Sequence, residues 1–97
     1  MRIRARTDDN HQEILDAFRK FGCSVYSLHQ VGGGFPDAII AKSHRNILVE
    51  IKDGKKPKSK RKLTDDEIDF HKNWQGPIAI VESLDDVVNV MKLYFHI

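Results

Sequence analysis

The stretch Pro36-Asp37-Ala38-Ile39-Ile40-Ala41-Lys42-Ser43-His44-Arg45-Asn46-Ile47-Leu48-Val49-Glu50-Ile51-Lys52 decides how the chain is read. Two apolar runs, residues 38–41 and 47–51, flank the turn formers of residues 43–46, so the segment predicts a β-hairpin. Side chains alternate along a strand, which puts Glu50 and Lys52 on one face and Ile47, Val49 and Ile51 on the other. An even-length loop centred between Ser43 and His44 sets Asp37 opposite Glu50; centred one residue later, it sets Asp37 opposite Lys52. Both registers gather the two carboxylates and the lysine on one face, whereas an odd-length loop or a bulge separates them. Opposed carboxylates repel, and a bound cation removes that cost. Two carboxylates, the Ile51 carbonyl and a substrate phosphate are a sufficient oxygen set for Mg²⁺ or Mn²⁺. The Lys52 ammonium would orient a water or stabilise charge on a phosphoryl transition state. The plain alternative makes Asp37 a turn residue after Pro36, and Glu50 and Lys52 the solvated face of an edge strand. Against it, the strands are apolar on both faces and read as buried, and buried carboxylates need partners.

Working outward, residues 7–10, from Thr7 to Asn10, are rich in helix-capping types. Ile14, Leu15, Phe18 and Phe21 then recur at helical spacing until Gly22. Residues 23–31 read as the first strand, 53–63 as a polar loop and 65–75 as a helix bounded by Thr64 and by Gly76-Pro77. A fourth strand covers 78–81, and Ser83 caps a third helix carrying Leu84, Val87, Val88, Met91 and Tyr94. The order is αβββαβα, and the fold class is α/β, a mixed central sheet flanked by helices on both faces. Asn10-x-x-Glu13 and Thr64-x-x-Glu67 both have capping-box spacing, and the latter would account for Glu67 completely.

Composition fits one compact domain over residues 1–97, with 40% hydrophobic and 31% charged residues. A lone cysteine, Cys23, excludes an intrachain disulfide and a cysteine-zinc cluster; it reads as a buried small hydrophobe. No stretch resembles a signal peptide or a membrane span, so an intracellular protein is expected, in the cytoplasm of a bacterial or phage-infected host. The net charge is only +2, but residues 42–62 hold nine basic side chains against Glu50 and Asp53, a local +7 beside the proposed metal site. Lys55, Lys56, Lys58, Lys60, Arg61 and Lys62 therefore read as a loop that grips DNA phosphates without reading sequence; a merely solvated loop is the alternative. Gly32-Gly33-Gly34 precedes a strand rather than a helix, so it is no nucleotide-phosphate loop; it is expected to let the backbone approach DNA or metal without a Cβ in the way. The five histidines are too scattered for metal-ligand spacing; His71, on the helix after the basic loop, either meets a phosphate or is structural. Trp74 reads as a core anchor rather than a base-stacking platform.

The ordered set Gly32-Gly33-Gly34-Phe35-Pro36-Asp37, Leu48-Val49-Glu50-Ile51-Lys52-Asp53-Gly54, then Leu63-Thr64 and Trp74-Gln75-Gly76 resembles the PD-(D/E)xK nuclease superfamily. Within it, the similarity is to minimal VRR-NUC domains of phage and bacterial proteins, and it runs from about Asn10 to Met91. The resemblance implies a restriction-endonuclease-like core related to Holliday-junction resolvases. It also implies an Mg²⁺- or Mn²⁺-dependent deoxyribonuclease, structure-selective for branched or junction DNA, leaving 5′-phosphate and 3′-hydroxyl ends. By position Asp37 and Glu50 are the metal-binding acids and Lys52 the catalytic lysine. Glu13 takes the place of a first-helix acid that contacts metal directly or through water, or else completes the Asn10 capping box. Glu67 stands where many relatives carry a glutamine, which puts a substrate-positioning role there in doubt. A homodimer is expected, because a two-fold junction needs two matched cuts. A nucleic-acid-binding or accessory protein that keeps the fold without cleaving is the alternative, and a sequence-specific restriction-type enzyme ranks below it.

Overall fold

The computed structural model describes residues 9–97. The elements are α1 (His11–Lys20), β1 (Ser24–Ser27), β2 (Ala38–Lys42), β3 (Arg45–Ile51), a 3₁₀ turn (Lys58–Lys60), α2 (Asp65–Asn73), β4 (Ile78–Val81) and α3 (Leu84–Phe95). The sheet order is β1-β2-β3-β4; the first two pairings are antiparallel and β3–β4 is parallel. This is the mixed sheet and αβββαβα order expected from the sequence. Among the described residues no helix is long and apolar enough to cross a membrane.

In the β2–β3 hairpin Ala38 pairs with Val49 and Lys42 with Arg45, so the connection is two residues, Ser43-His44, and the register continues to Asp37 opposite Glu50. Both turn residues have positive φ, 53° and 66°. That is the twist a two-residue hairpin demands, taken here by two residues that are not glycine. Of the two registers open to the sequence, this is the one centred between Ser43 and His44.

Ile47, Val49 and Ile51 of β3, with Ile40, Val25 and Val81, form one apolar face. Ile14, Leu15 and Phe18 of α1 and Val87, Val90 and Met91 of α3 cover it. Cys23 is buried in this core beside Met91, and burial pushes its thiol pKa up, as befits an inert packing residue. The other face carries Leu48, Glu50 and Ile80, and among the described helices α2 stands against it.

Several expectations are corrected. The first strand stops at Ser27 rather than Val31, because turns closed by Val31 N–H to Leu28 O and Phe35 N–H to Gly32 O take over the chain. Thr7 lies outside the described residues. Asn10 forms no capping box with Glu13; its amide donates instead to the carbonyls of Lys52 (3.1 Å) and Glu82 (3.2 Å), tying the start of α1 to the ends of β3 and β4. Trp74 is not a core anchor, being 42% exposed. Gly34 has φ +83°, and a Cβ there would strike the Asp66 backbone. That glycine serves the packing of its loop on α2.

Candidate metal centre

Glu50 lies in the middle of the sheet on β3, between β2 and β4, and is 1% exposed. Asp37 precedes β2; its Oδ2 accepts the Ile51 N–H at 2.7 Å, so the carboxylate is held across the hairpin at the end of the ladder. The N–H and C=O of one strand residue point to the same side. The Ile51 carbonyl therefore faces Asp37.

Lys52 continues the Glu50 face, and its Nζ donates to Glu67 Oε1 at 2.8 Å. Glu67 also caps α2: its carboxylate accepts the Thr64 N–H (2.9 Å) while its own N–H donates to Thr64 Oγ1 (3.2 Å). The capping box is thus present but does not account for Glu67, which holds the lysine as well. Burial alone would raise the Glu67 pKa, yet the hydrogen bonds from Lys52 and Thr64 and the lysine's charge bring it below its ordinary value.

The Glu50 pKa goes the other way, pushed up to about 10, chiefly by burial and then by the adjoining Asp37 and Glu67 carboxylates, with Lys52 only partly offsetting them. Glu50 Oε1 is buried without a hydrogen-bond partner, and so is His71 Nε2, which faces it at 3.5 Å, beyond a good hydrogen bond. Burial also lowers the His71 pKa, which favours the uncharged ring. Three carboxylates share a site with one lysine, and the most buried of them has an unused oxygen: the pocket lacks positive charge.

That deficit is what an added cation corrects, and the donors are hard oxygens. Among the described residues no three His, Cys, Asp or Glu side chains are grouped to hold a metal. An ion here would rest on Asp37, Glu50, a backbone carbonyl and oxygens from water and substrate, a set that suits Mg²⁺ or Mn²⁺ rather than zinc.

The remaining candidates are dispersed. Glu13 is exposed on α1 and lines a groove of about 560 Å³ with Asn10, Asp53, Arg61 and the start of α3; Asp37 and Glu50 do not line it. Lys55, Lys58, Lys60 and Lys62 are exposed, whereas Lys56 and Arg61 are half-buried. The Arg61 guanidinium is engaged, with Nε donating to the Lys56 carbonyl (2.7 Å) and Nη1 to Glu82 (3.3 Å), so it fastens the basic loop to the end of β4. Gly54 makes this close approach possible, since a Cβ there would lie 2.8 Å from the Glu82 carbonyl. His71 is the residue whose place the sequence left most open; its spacing of four from Glu67 on α2 was the available signal.

The small mixed sheet thus carries an acid pair and a lysine on the face turned away from α1 and α3. A solved structure described as a "VRR_NUC domain" is similar over 87% of this chain and 91% of its own, with a TM-score of 0.59 and 22% sequence identity. The chain has the fold of a VRR-NUC domain. No family model and no curated protein matches it.

Proposed function

We propose that the chain is a metal-dependent deoxyribonuclease that hydrolyses phosphodiester bonds with water as nucleophile. The observation that carries the reading is the partnerless, buried Glu50 oxygen beside Asp37 on a face shared with Lys52. Asp37, Glu50 and the Ile51 carbonyl would hold Mg²⁺ or Mn²⁺, which supplies Lewis acidity and charge neutralisation when bound. Lys52, held by Glu67 at 2.8 Å, offers its ammonium to a phosphate oxygen where negative charge builds. Glu67 thereby acts as a positioning residue. His71, whose Nε2 faces Glu50 at 3.5 Å, would take or return a proton there. Exposed Lys55, Lys58, Lys60 and Lys62 draw the backbone toward the acids, with Lys56 and Arg61 shaping the loop that presents them. Glu13 lies on a separate groove that Asp37 and Glu50 do not line, and it is given no part in holding the ion.

Branched or junction DNA is the favoured substrate, and a homodimer the favoured assembly. Val87, Val90 and Met91 of α3 are spent on the core, but Leu84 and Val88, one turn apart, stay exposed and offer a small apolar surface for a second copy. Sedimentation equilibrium checks this, since a species at 11.2 kDa both free and with junction DNA refutes the dimer.

The test of function is incubation with labelled duplex, single-stranded, flap and four-way-junction DNA, with Mg²⁺ or Mn²⁺ and a Lys52→Ala control. Metal-dependent cleavage that the control loses supports the reading. Binding without cleavage under every condition overturns it in favour of an accessory nucleic-acid binder.

A further inference from the structure

Helix α2 runs antiparallel along β3 and meets it at three successive rungs. Glu67 holds Lys52 at 2.8 Å, His71 faces Glu50 at 3.5 Å, and Trp74 shares the wall of a groove with Leu48. The third rung is unlike the other two. It opens a groove of about 600 Å³ bounded by Leu28, Phe35, Ile39, Leu48, Trp74 and Pro77, with Asn46 on its rim. The indole is set rather than loose. It stacks on Phe70 with centroids 5.5 Å apart and planes 18° apart, Phe70 in turn meets Phe35 edge-on, and a Cβ on Gly76 would come within 2.8 Å of the indole nitrogen. A large aromatic side chain held in this way yet 42% exposed is a flat surface prepared for a partner.

We propose that this groove receives an unpaired nucleobase of the DNA strand lying across the metal acids, stacked against Trp74. The inference rests on the nuclease reading for its substrate. Leu48 is one two-residue step from Glu50, about 6.6 Å along the strand, or about two stacked nucleotide rises of 3.4 Å. A base one or two nucleotides from the phosphate at Glu50 therefore falls at the groove. The complementary charge is present, since residues 42–62 carry a net +7 that draws in the phosphates. The groove itself is apolar, as a π-face requires, and the Asn46 amide is available to a base edge. A paired base cannot enter, so the groove selects for single-stranded or frayed DNA beside the cut.

Trp74 is the chain's only tryptophan, so emission excited selectively in tryptophan, beyond the absorption of the two tyrosines, reports on this groove alone. In EDTA, where cleavage is blocked, a single-stranded oligonucleotide should quench the emission and a duplex of the same sequence should not. The same strand with abasic sites should bind through its phosphates and leave the emission unchanged; equal quenching by the abasic strand overturns the proposal. Emission that changes with protein concentration alone would assign the groove to a second copy and also overturn it. Trp74→Ala should weaken single-strand binding, measured by anisotropy, by about tenfold, within the range for a stacked base, with duplex binding unchanged, and Trp74→Phe should restore most of it. Unaltered single-strand affinity in Trp74→Ala counts against the groove. None of these readouts needs catalysis, so quenching without cleavage under any metal would retain the groove and reject the nuclease.

Discussion

The two faces of the sheet are built by opposite rules. On one, Val25, Ile40, Val49, Ile51 and Val81 meet α1 and α3 in a closed apolar layer. On the other, Glu50 is buried with an oxygen unpartnered, Lys52 is held by a helix cap, and Tyr26, Ile80 and Trp74 remain open to solvent. The first face supplies stability and the second spends some of it, because a buried carboxylate without a cation is unfavourable. Binding chemistry on a β-sheet this small is bought by leaving one face unfinished.

The sharpest division would come from the acids. Asp37→Ala and Glu50→Ala should abolish cleavage, and Lys52→Ala should lower the rate while metal binding, read as a thermal shift with Mn²⁺, persists. Undiminished cleavage by Asp37→Ala in a contaminant-free preparation would end the assignment. On the covered face, Phe18→Ala should cost about 3–5 kcal/mol by denaturant unfolding, since Phe18 is fully buried among α1, α3 and the sheet.

Glu50 gives a prediction of opposite sign. Its pKa is pushed up to about 10 in the folded chain from an ordinary 4.5, so between those values the folded state holds more protons than the unfolded state. Stability of the metal-free protein should therefore fall as pH rises through that window. Glu50→Gln should flatten the slope and raise the metal-free unfolding midpoint at pH 8, while abolishing stabilisation by Mn²⁺. A midpoint that falls at pH 8 would show that the carboxylate is better accommodated than its surroundings imply. Glu67, whose pKa is lowered, contributes stability present above its unfolded value and lost as pH falls through the folded one.

A smaller effect separates grip from scaffold within the basic loop. Changing Lys55, Lys58, Lys60 and Lys62 to Gln should flatten the salt dependence of DNA binding by a slope of roughly three to four, at about 0.9 per phosphate contact. An unchanged slope would remove the loop from the interface. Arg61→Gln should instead reduce thermal stability modestly, through loss of its bonds to Lys56 and Glu82.

The hairpin is legible because alternation and turn chemistry act locally; the sequence leaves Asp37 opposite either Glu50 or Lys52, and the two-residue turn decides for Glu50. The charge of residues 42–62 was legible for the same reason. What escaped the sequence was the use of polar groups across long separations. Asn10 has a capping residue's chemistry but bonds carbonyls 42 and 72 residues away, and Glu67 completes a local cap while holding Lys52. Arg61 looked like one more cation in a run, yet Glu82 claims it. Trp74 looked like core because nothing in its spacing says that α2 leaves the sheet half open. Spacing gives a side chain's element and face, whereas its partner depends on how the elements dock.

The Asn10 amide, bonded at once to the Lys52 and Glu82 carbonyls, joins an early, a middle and a late part of the chain at a single side chain. The same corner holds the Gly54 N–H on the Glu82 carbonyl at 3.0 Å. As the chain leaves the ribosome, Asp37, Glu50 and the whole basic loop emerge before Glu82, and long-range contacts of this kind close late in folding. On the proposed function, the cutting site would be completed only after its phosphate-attracting loop exists, and a nascent chain would pass through a stage in which it could hold nucleic acid without cutting it.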